Sequence, residues 1–465
     1  MNFADQYLQK HASGYALIGE PPAGGLNTII TIPAYRESGL HRCLDSLYNM
    51  DPISEPTEVI ILFNIPEGAH PDRRALHDVS IRQAETFKSS QTPPKNLTLH
   101  LVSLDDLPKK HFGAGLARKL VMDEATRRFN MINNPGGIIL SLDADTLVEP
   151  NYVAAVSKLF TEHPTTEGCS IHFEHPLDNR AIPRKENFTK PHEDPIATPP
   201  TGDPEVETGQ AYTGEDKGRG GDTYSEAVYQ AITNYELHQR YYLMATRYTG
   251  YPYAYHTVGS AFAVRARAYA RYGGMSRRQA GEDFYFIQKV AVNGRFGECN
   301  TTTVYPSPRT SDRVPFGTGP DIARQLKYPD GTYLTFNPEL FYILRGFYFR
   351  ANAMYAKGEA AVSAFENELH PLLVMYLKRN NYRDTLGEIF DNVASEQAFR
   401  QRFFRNFNWL WLLKFLHYGE QNGIGKVPLE EALQQLLKQL QISYPSSGSL
   451  KNLLLHLRRM QKSLL

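Results

Sequence analysis

From residue 27 to residue 142 short apolar runs alternate with stretches whose apolar residues recur every three or four positions. Asn27–Pro33 (NTIITIP), Glu58–Asn64 (EVIILFN), Leu97–Leu104 and Gly137–Leu142 (GIILSL) are short and rich in branched side chains. Each predicts a buried strand. Gly39–Met50 carries Leu40, Cys43, Leu44 and Leu47, and Gly115–Phe129 carries Leu116, Leu120, Val121, Ala125 and Phe129. Both spacings predict helices. Strands that alternate with helices predict an α/β domain built on a parallel sheet. Farther along, Tyr224–Tyr248 and Glu282–Ala291 read as helices and Gly259–Val264 as a strand. Pro176–Glu226 interrupts the pattern with prolines, glycines and charges, which predicts a long surface loop inserted in the domain. After about Asp330 the stretches Leu334–Ala356, Val362–Leu377, Thr385–Leu416, Leu429–Leu440 and Leu450–Leu464 all have helical spacing. The expected division is an N-terminal extension (1–26), an α/β domain (27–329) that holds the loop, and a helical C-terminal region (330–465).

Composition narrows the function. The chain has 465 residues with 50 Lys+Arg and 50 Asp+Glu, so it has no global basic field for nucleic acid. At 41% hydrophobic residues it has enough apolar material for a packed core. Three widely spaced cysteines, Cys43, Cys169 and Cys299, make neither a disulfide framework nor a zinc cluster. The first residues lack the apolar stretch of a signal peptide, and no run approaches the roughly 18–20 apolar residues of a spanning helix. A cytoplasmic protein without transmembrane segments is therefore expected.

Ligands of such sheets bind beyond the carboxyl ends of the strands, so the residues there are the candidates. Gly137–Leu142 runs into Asp143-Ala144-Asp145. Two carboxylates one residue apart, just past a buried strand, suit a hard cation such as Mg²⁺ or Mn²⁺ together with phosphate oxygens. The plain alternative is a solvated turn. Glu282 and Asp283 open a helix, where acidic residues also serve as ordinary caps. Held there, an aspartate can also accept a proton from an attacking hydroxyl. Pro33-Ala34-Tyr35-Arg36-Glu37 follows the first strand and is read either as a nucleotide pocket or as a lead into the next helix. Gly113-Ala114-Gly115 feeds a helix whose early Arg118 and Lys119 oppose its dipole, a placement that favours an anionic ligand. The polar loop that holds Arg309 and Arg313 offers guanidinium forks for phosphate oxygens, or is simply solvated. Tyr241, Tyr242, Tyr248, Tyr251, Tyr253 and Tyr255 form an aromatic group suited to sugar faces. Lys451–Leu465 is compatible with an interfacial helix, though a docked terminal helix accounts for it as well.

Five of these segments, in this order, resemble a family 2 glycosyltransferase of the GT-A fold: TIPAYRE (Thr31–Glu37), GLARKLVMDEA (Gly115–Ala125), IILSLDADTLVEPNYV (Ile138–Val153), GSAFAVRARAYARYGGM (Gly259–Met275) and GEDFYFIQKVAVNGR (Gly281–Arg295). The resemblance spans about residues 27–295 and implies a GT-A-like (Rossmann-like) mixed, mainly parallel sheet flanked by helices, followed by the helical extension. It implies that Pro33, Ala34, Tyr35, Glu37, Asn64, Arg118, Lys119 and Asp143 bind the donor. It also implies that Asp143 and Asp145 hold the metal, that Asp283 is the base with Glu282 beside it, and that Gly259 and Ser260 lie on the acceptor side. Two departures stand out. Asn64 occupies a position where the family often has an acid that reads the base, and Lys119 replaces an asparagine. No histidine follows Asp283 until His370, so Arg309 and Arg313 are expected to help hold the diphosphate. The Gln-x-x-Arg-Trp motif of processive polysaccharide synthases is absent.

The implied function is a Mn²⁺- or Mg²⁺-dependent transferase of the hexosyltransferase class. It would move a sugar from a nucleotide-diphospho-sugar to a hydroxyl of a glycan, lipid-linked or small-molecule acceptor, with inversion. No nucleic-acid partner is expected, and peripheral membrane contact remains compatible. A sugar nucleotidyltransferase would place a Gly-rich basic loop after the first strand, where PAYRE stands. A non-catalytic nucleotide-sugar or glycan-binding protein would not need Asp143, Asp145 and Asp283 together.

Overall fold

The computed structural model describes residues 1–37, 39–178, 224–311, 315–329, 331–357, 366–443 and 448–463. The expected loop insertion therefore lies almost wholly outside the described residues, as does Arg313. The centre of the molecule is an eight-stranded mixed sheet. Its strands are β1 (Thr28–Ala34), β2 (Thr57–Pro66), β3 (Leu97–Leu107), β4 (Ile138–Ser141), β5 (Leu147–Val148), β6 (Gly168–Phe173), β7 (Phe262–Arg265) and β8 (Phe296–Tyr305), in the order β3-β2-β1-β4-β7-β6-β8-β5. β3, β2, β1 and β4 are mutually parallel. β7 runs against both β4 and β6, and β8 lies parallel to β6. All but β7 and the short β5 therefore point the same way, so the sheet is mainly parallel, as the alternating pattern predicts, and mixed, as the resemblance implies.

The unbroken apolar runs have a physical cause: β1 and β2 are covered on both faces. Ile30, Ile32, Val59, Ile61 and Phe63 face one apolar cluster, which includes Leu40, Leu44 and Leu47 of α2 (Leu40–Tyr48). Ile29, Ile60 and Leu62 face another, which includes Leu120, Val121 and Phe129 of α4 (Ala114–Met131). Residues 1–26 pack on this second face. Tyr7 of α1 (Asp5–Lys10) donates to Asp123 Oδ1 at 2.6 Å, and the Ser13 amide donates to Asp123 Oδ2 at 2.7 Å.

Three elements carry little of the periodic signal: α3 (Pro71–Ser90), β6 and β8. α5 (Tyr152–Glu162), α7 (Ala266–Arg271), α8 (Glu282–Asn293) and α9 (Thr318–Lys327) complete the flanking helices. α6 (Glu226–Tyr248) joins a third cluster with the C-terminal helices α10 (Pro338–Lys357), α11 (Pro371–Arg379), α12 (Tyr382–Asp391), α13 (Glu396–Asn406), α14 (Trp409–Gln421), α15 (Leu429–Gln439) and α16 (Leu450–Ser463). The stretch read as one helical run, 385–416, is thus broken into three, with Ser395 and Asn408 accepting backbone N–H groups as caps. α16 is docked: Leu453, Leu454 and Leu457 are buried, and Arg458 pairs with Glu236 of α6 at 2.6 Å. Among the described residues no helix is long and apolar enough to cross a membrane.

Candidate functional site

Strand direction gathers the site. The carboxyl ends of β1, β2, β4 and β8 lie on one edge of the sheet. β7 is antiparallel to β4, with Phe262 opposite Ser141, so β7 starts at that edge. Glu37 follows β1, Asn64 is near the end of β2, and Asp143 and Asp145 follow β4. Gly259 and Ser260 precede β7, and Arg309 follows β8. These five segments, with the starts of α4 and α8, line a cleft of about 650 Å³. Pro33, Ala34, Tyr35, Arg118, Glu282 and Asp283 line it too.

One half of the cleft is ionic. Arg118 is 4% exposed, and all three nitrogens of its guanidinium donate hydrogen bonds. Nε donates to Glu282 Oε1 at 3.1 Å. One terminal nitrogen donates to Ser141 Oγ at 2.7 Å and to the Gly259 carbonyl at 3.0 Å. The other donates to Asp143 Oδ1 at 2.9 Å. Burial opposes the charge of Arg118, but Asp143, Glu282 and Asp283 outweigh it and raise its pKa. Gly259 must lack a side chain here, because a Cβ would stand 2.6 Å from the Arg118 guanidinium and 3.2 Å from Asp283 Oδ2. Arg309 forms the second bridge: Nε donates to Asp145 Oδ2 at 2.5 Å, and a terminal nitrogen donates to both Glu37 oxygens at 3.0 and 2.9 Å. Asp143 and Asp145 keep side-chain exposures of 39% and 21%, so their oxygens open to the cleft.

Asp283 is half-buried, and its Oδ1 accepts the Phe284 amide at 2.7 Å. Burial and the neighbouring Glu282 charge raise its pKa to about 7 against the opposing pull of Arg118. A carboxylate tuned near neutrality is suited to proton transfer. Gly281, which caps α8, has φ +72°, a left-handed conformation that admits glycine without strain. At the other end, Asn64 is 2% exposed and its Oδ1 has no hydrogen-bond partner in the protein. A buried acceptor left unpaired costs about 1–3 kcal/mol, which a ligand N–H would relieve. Tyr35 is fixed edge-on to Phe112, with ring centres 5.1 Å apart.

Two expectations need correction. Lys119 does not face the cleft. Its Nζ lies 3.0 Å from Tyr7 Oη and 3.0 Å from Asp123 Oδ2, buried on the other face of α4. Adjacent helical positions point about 100° apart, so Arg118 and Lys119 cannot serve one ligand. Of the six tyrosines between 241 and 255, only Tyr242 lines the cleft. Tyr241 and Tyr251 are core residues that donate to the Phe336 carbonyl and to Gln288 Oε1. Cleft residues not singled out beforehand include Tyr235 and Gln239 of α6 and Leu410 and Leu413 of α14. Tyr235, Gln239 and Tyr242 do share a helical face at i, i+4 and i+7, which is the signal that marks them as a set.

Among the described residues no three His, Cys, Asp or Glu side chains form a ready-made metal site. Asp143 and Asp145 nevertheless offer hard, partly exposed oxygens, the donor type that Mg²⁺ and Mn²⁺ take together with phosphate oxygens of a substrate. No family model matches the chain, and no curated protein matches it either. Among solved structures, it is similar to S. aureus TarS 1–349 in complex with UDP-GlcNAc, at 12% identity over 82% of this chain and 91% of that one, with a TM-score of 0.36. It is also similar to the mannosyltransferase PcManGT from Pyrobaculum calidifontis in complex with GDP-Man and Mn²⁺, at 13% identity over 99% and 92% of the two chains, with a TM-score of 0.34.

Proposed function

We propose that this protein is a glycosyltransferase that moves a sugar from a nucleotide-diphospho-sugar to an acceptor hydroxyl with inversion, as a family 2 enzyme would. The observation that carries the reading is the convergence, in one cleft, of Asp143 and Asp145, the two bridging arginines and an aspartate with a pKa near 7. The nucleoside lies against Tyr35 and presents an N–H to Asn64. Arg309 turns from its carboxylates toward the diphosphate, a planar fork meeting paired oxygens. Asp143 and Asp145 would hold Mn²⁺ or Mg²⁺ beside the same diphosphate. When bound, that cation supplies positive charge that stabilises the leaving group.

Arg118 holds Asp143 and Glu282 in place and keeps Asp283 beside Gly259. Asp283 takes the proton of the acceptor hydroxyl as the hydroxyl oxygen bonds to the anomeric carbon. The bond from that carbon to the phosphate oxygen breaks in the same displacement, its electrons leave with the nucleoside diphosphate, and the configuration inverts. The test is incubation of the protein with UDP-, GDP- and dTDP-sugars, with and without Mn²⁺, followed by assay of released nucleoside diphosphate. Slow metal-stimulated release from at least one donor is expected. No release from any donor, together with no calorimetric binding of UDP, GDP or dTDP, overturns the reading.

A further inference from the structure

One wall of the cleft is of a different kind from its ionic half. α14 turns Trp409, Leu412, Phe415 and Leu416 into the core, while Leu410 and Leu413, one turn apart, remain half-buried on the cleft side. Tyr235, Gln239 and Tyr242 of α6 line the same cleft. Tyr242 is fixed there: its hydroxyl accepts the Trp409 indole N–H at 2.9 Å, and the two rings stack 5.6 Å apart. Within this wall Gln239 Oε1 is buried and has no hydrogen-bond partner in the protein. Sugar rings use aromatic faces and hydrogen bonds. A pair of leucines provides neither, and is suited to hydrocarbon.

We infer that this wall is an acceptor subsite for a molecule whose reacting sugar is joined to an apolar aglycone. Leu410 and Leu413 bury the hydrocarbon, and Gln239 takes a hydroxyl of the ring. The inference rests on the transferase reading and gives its acceptor a chemical class. It also gives the C-terminal helices a role in selecting substrate.

The two tryptophans of the chain, Trp409 and Trp411, both lie in α14, so intrinsic fluorescence reports on this wall. The intact protein is titrated with octyl β-D-glucopyranoside, below its micellar concentration, and with methyl β-D-glucopyranoside. The ring is the same in both, so any difference belongs to the aglycone. The octyl compound is expected to bind at least tenfold tighter. In the double variant Leu410→Ser/Leu413→Ser the gap is expected to close to within about twofold, and in Leu410→Met/Leu413→Met to persist. Gln239→Ala is expected to weaken both compounds alike. Should the double serine variant not fold, Leu413→Ser alone is read the same way. Equal affinity of the two glucosides, or a gap that survives the serine substitutions, overturns the inference. Donor release from a sugar nucleotide by the same preparation separates that result from failure of the transferase reading itself.

Discussion

Arg118 is where the proposed site is most exposed to test. Its guanidinium makes four hydrogen bonds: to Glu282, Ser141, the Gly259 carbonyl and Asp143. In Arg118→Gln the amide can replace one or two of them and none of the charge. Glu282 has a side-chain exposure of 4%, so it is left as an uncompensated buried carboxylate, and removing one partner of such a pair costs about 3–5 kcal/mol. Asp143 is 39% exposed, and water takes over much of its share, which puts the expected loss near the lower figure. For a chain of 465 residues, at about 2.1 cal/mol/K of unfolding entropy per residue, that is a fall in Tm of about 3 °C, read by calorimetry. The second readout is the pH profile. Burial and Glu282 raise Asp283 to about 7 while Arg118 holds it down, so the variant moves that pKa up. Asp283 accepts a proton only when ionised, so kcat/KM rises with pH through its pKa, and the limb shifts to higher pH by about one unit or more. A limb that stays in place, or shifts to lower pH, refutes the coupling of Arg118 to the base. An unchanged Tm refutes its structural role.

Asp283→Asn is expected to cut turnover by about 10²–10⁴-fold and to abolish the rising limb near pH 7; a variant that keeps wild-type turnover removes Asp283 from the mechanism. Arg309→Ala loses a charge-assisted contact worth about 1.5–3 kcal/mol, so the KM for the donor should rise by about tenfold or more, measured under saturating acceptor. The same variant removes the guanidinium from Asp145, so Mn²⁺ alone is expected to bind more tightly by calorimetry. Asp145→Ala should abolish metal-stimulated binding of the nucleoside diphosphate, and unchanged isotherms would count against it. Gly259→Ala places a Cβ 2.6 Å from Arg118 and 3.2 Å from Asp283, and activity should fall at least tenfold while circular dichroism stays native.

How much of this was legible in the sequence depends on what each element buries. β1, β2 and β4 are covered on both faces, so their runs of Ile, Val and Leu announce them. β8 was not announced, because its sequence FGECNTTTVY fills buried positions with Thr302 and Thr303. α3 buries His77, Ser80, Ala84 and Phe87, a face with one large apolar residue in four, so its period is faint. The acidic residues could be singled out because they stand where the carboxyl ends of the strands point, although Glu282 and Asp283 at a helix start also have an ordinary structural reason to be there, as caps. Lys119 was misread because a pair of adjacent cations resembles a ligand motif, while helical geometry sends the second one to Tyr7 and Asp123. Leu410 and Leu413 were hidden because nothing local distinguishes a leucine that lines a cleft from one that fills a core.

α6 shows why the C-terminal region and the cleft have to be read together. One face presents Tyr235, Gln239 and Tyr242 to the cleft. A face about 100° round the helix carries Glu236 and Arg240, and Glu236 is fully buried between Arg240 at 2.6 Å and Arg458 of α16 at 2.6 Å, with His175 at 3.0 Å. Burial alone would push Glu236 up, but the two guanidiniums hold it well below the usual carboxylate range. A charge this buried is tolerable only with both partners in place, so α6 has one rotational setting. That setting presents Gln239 and Tyr242 to the cleft that Leu410 and Leu413 also line. The terminal helix, roughly 220 residues along the chain from Glu236, therefore fixes the orientation of the wall proposed to receive the acceptor, and residues that touch no substrate determine where it sits.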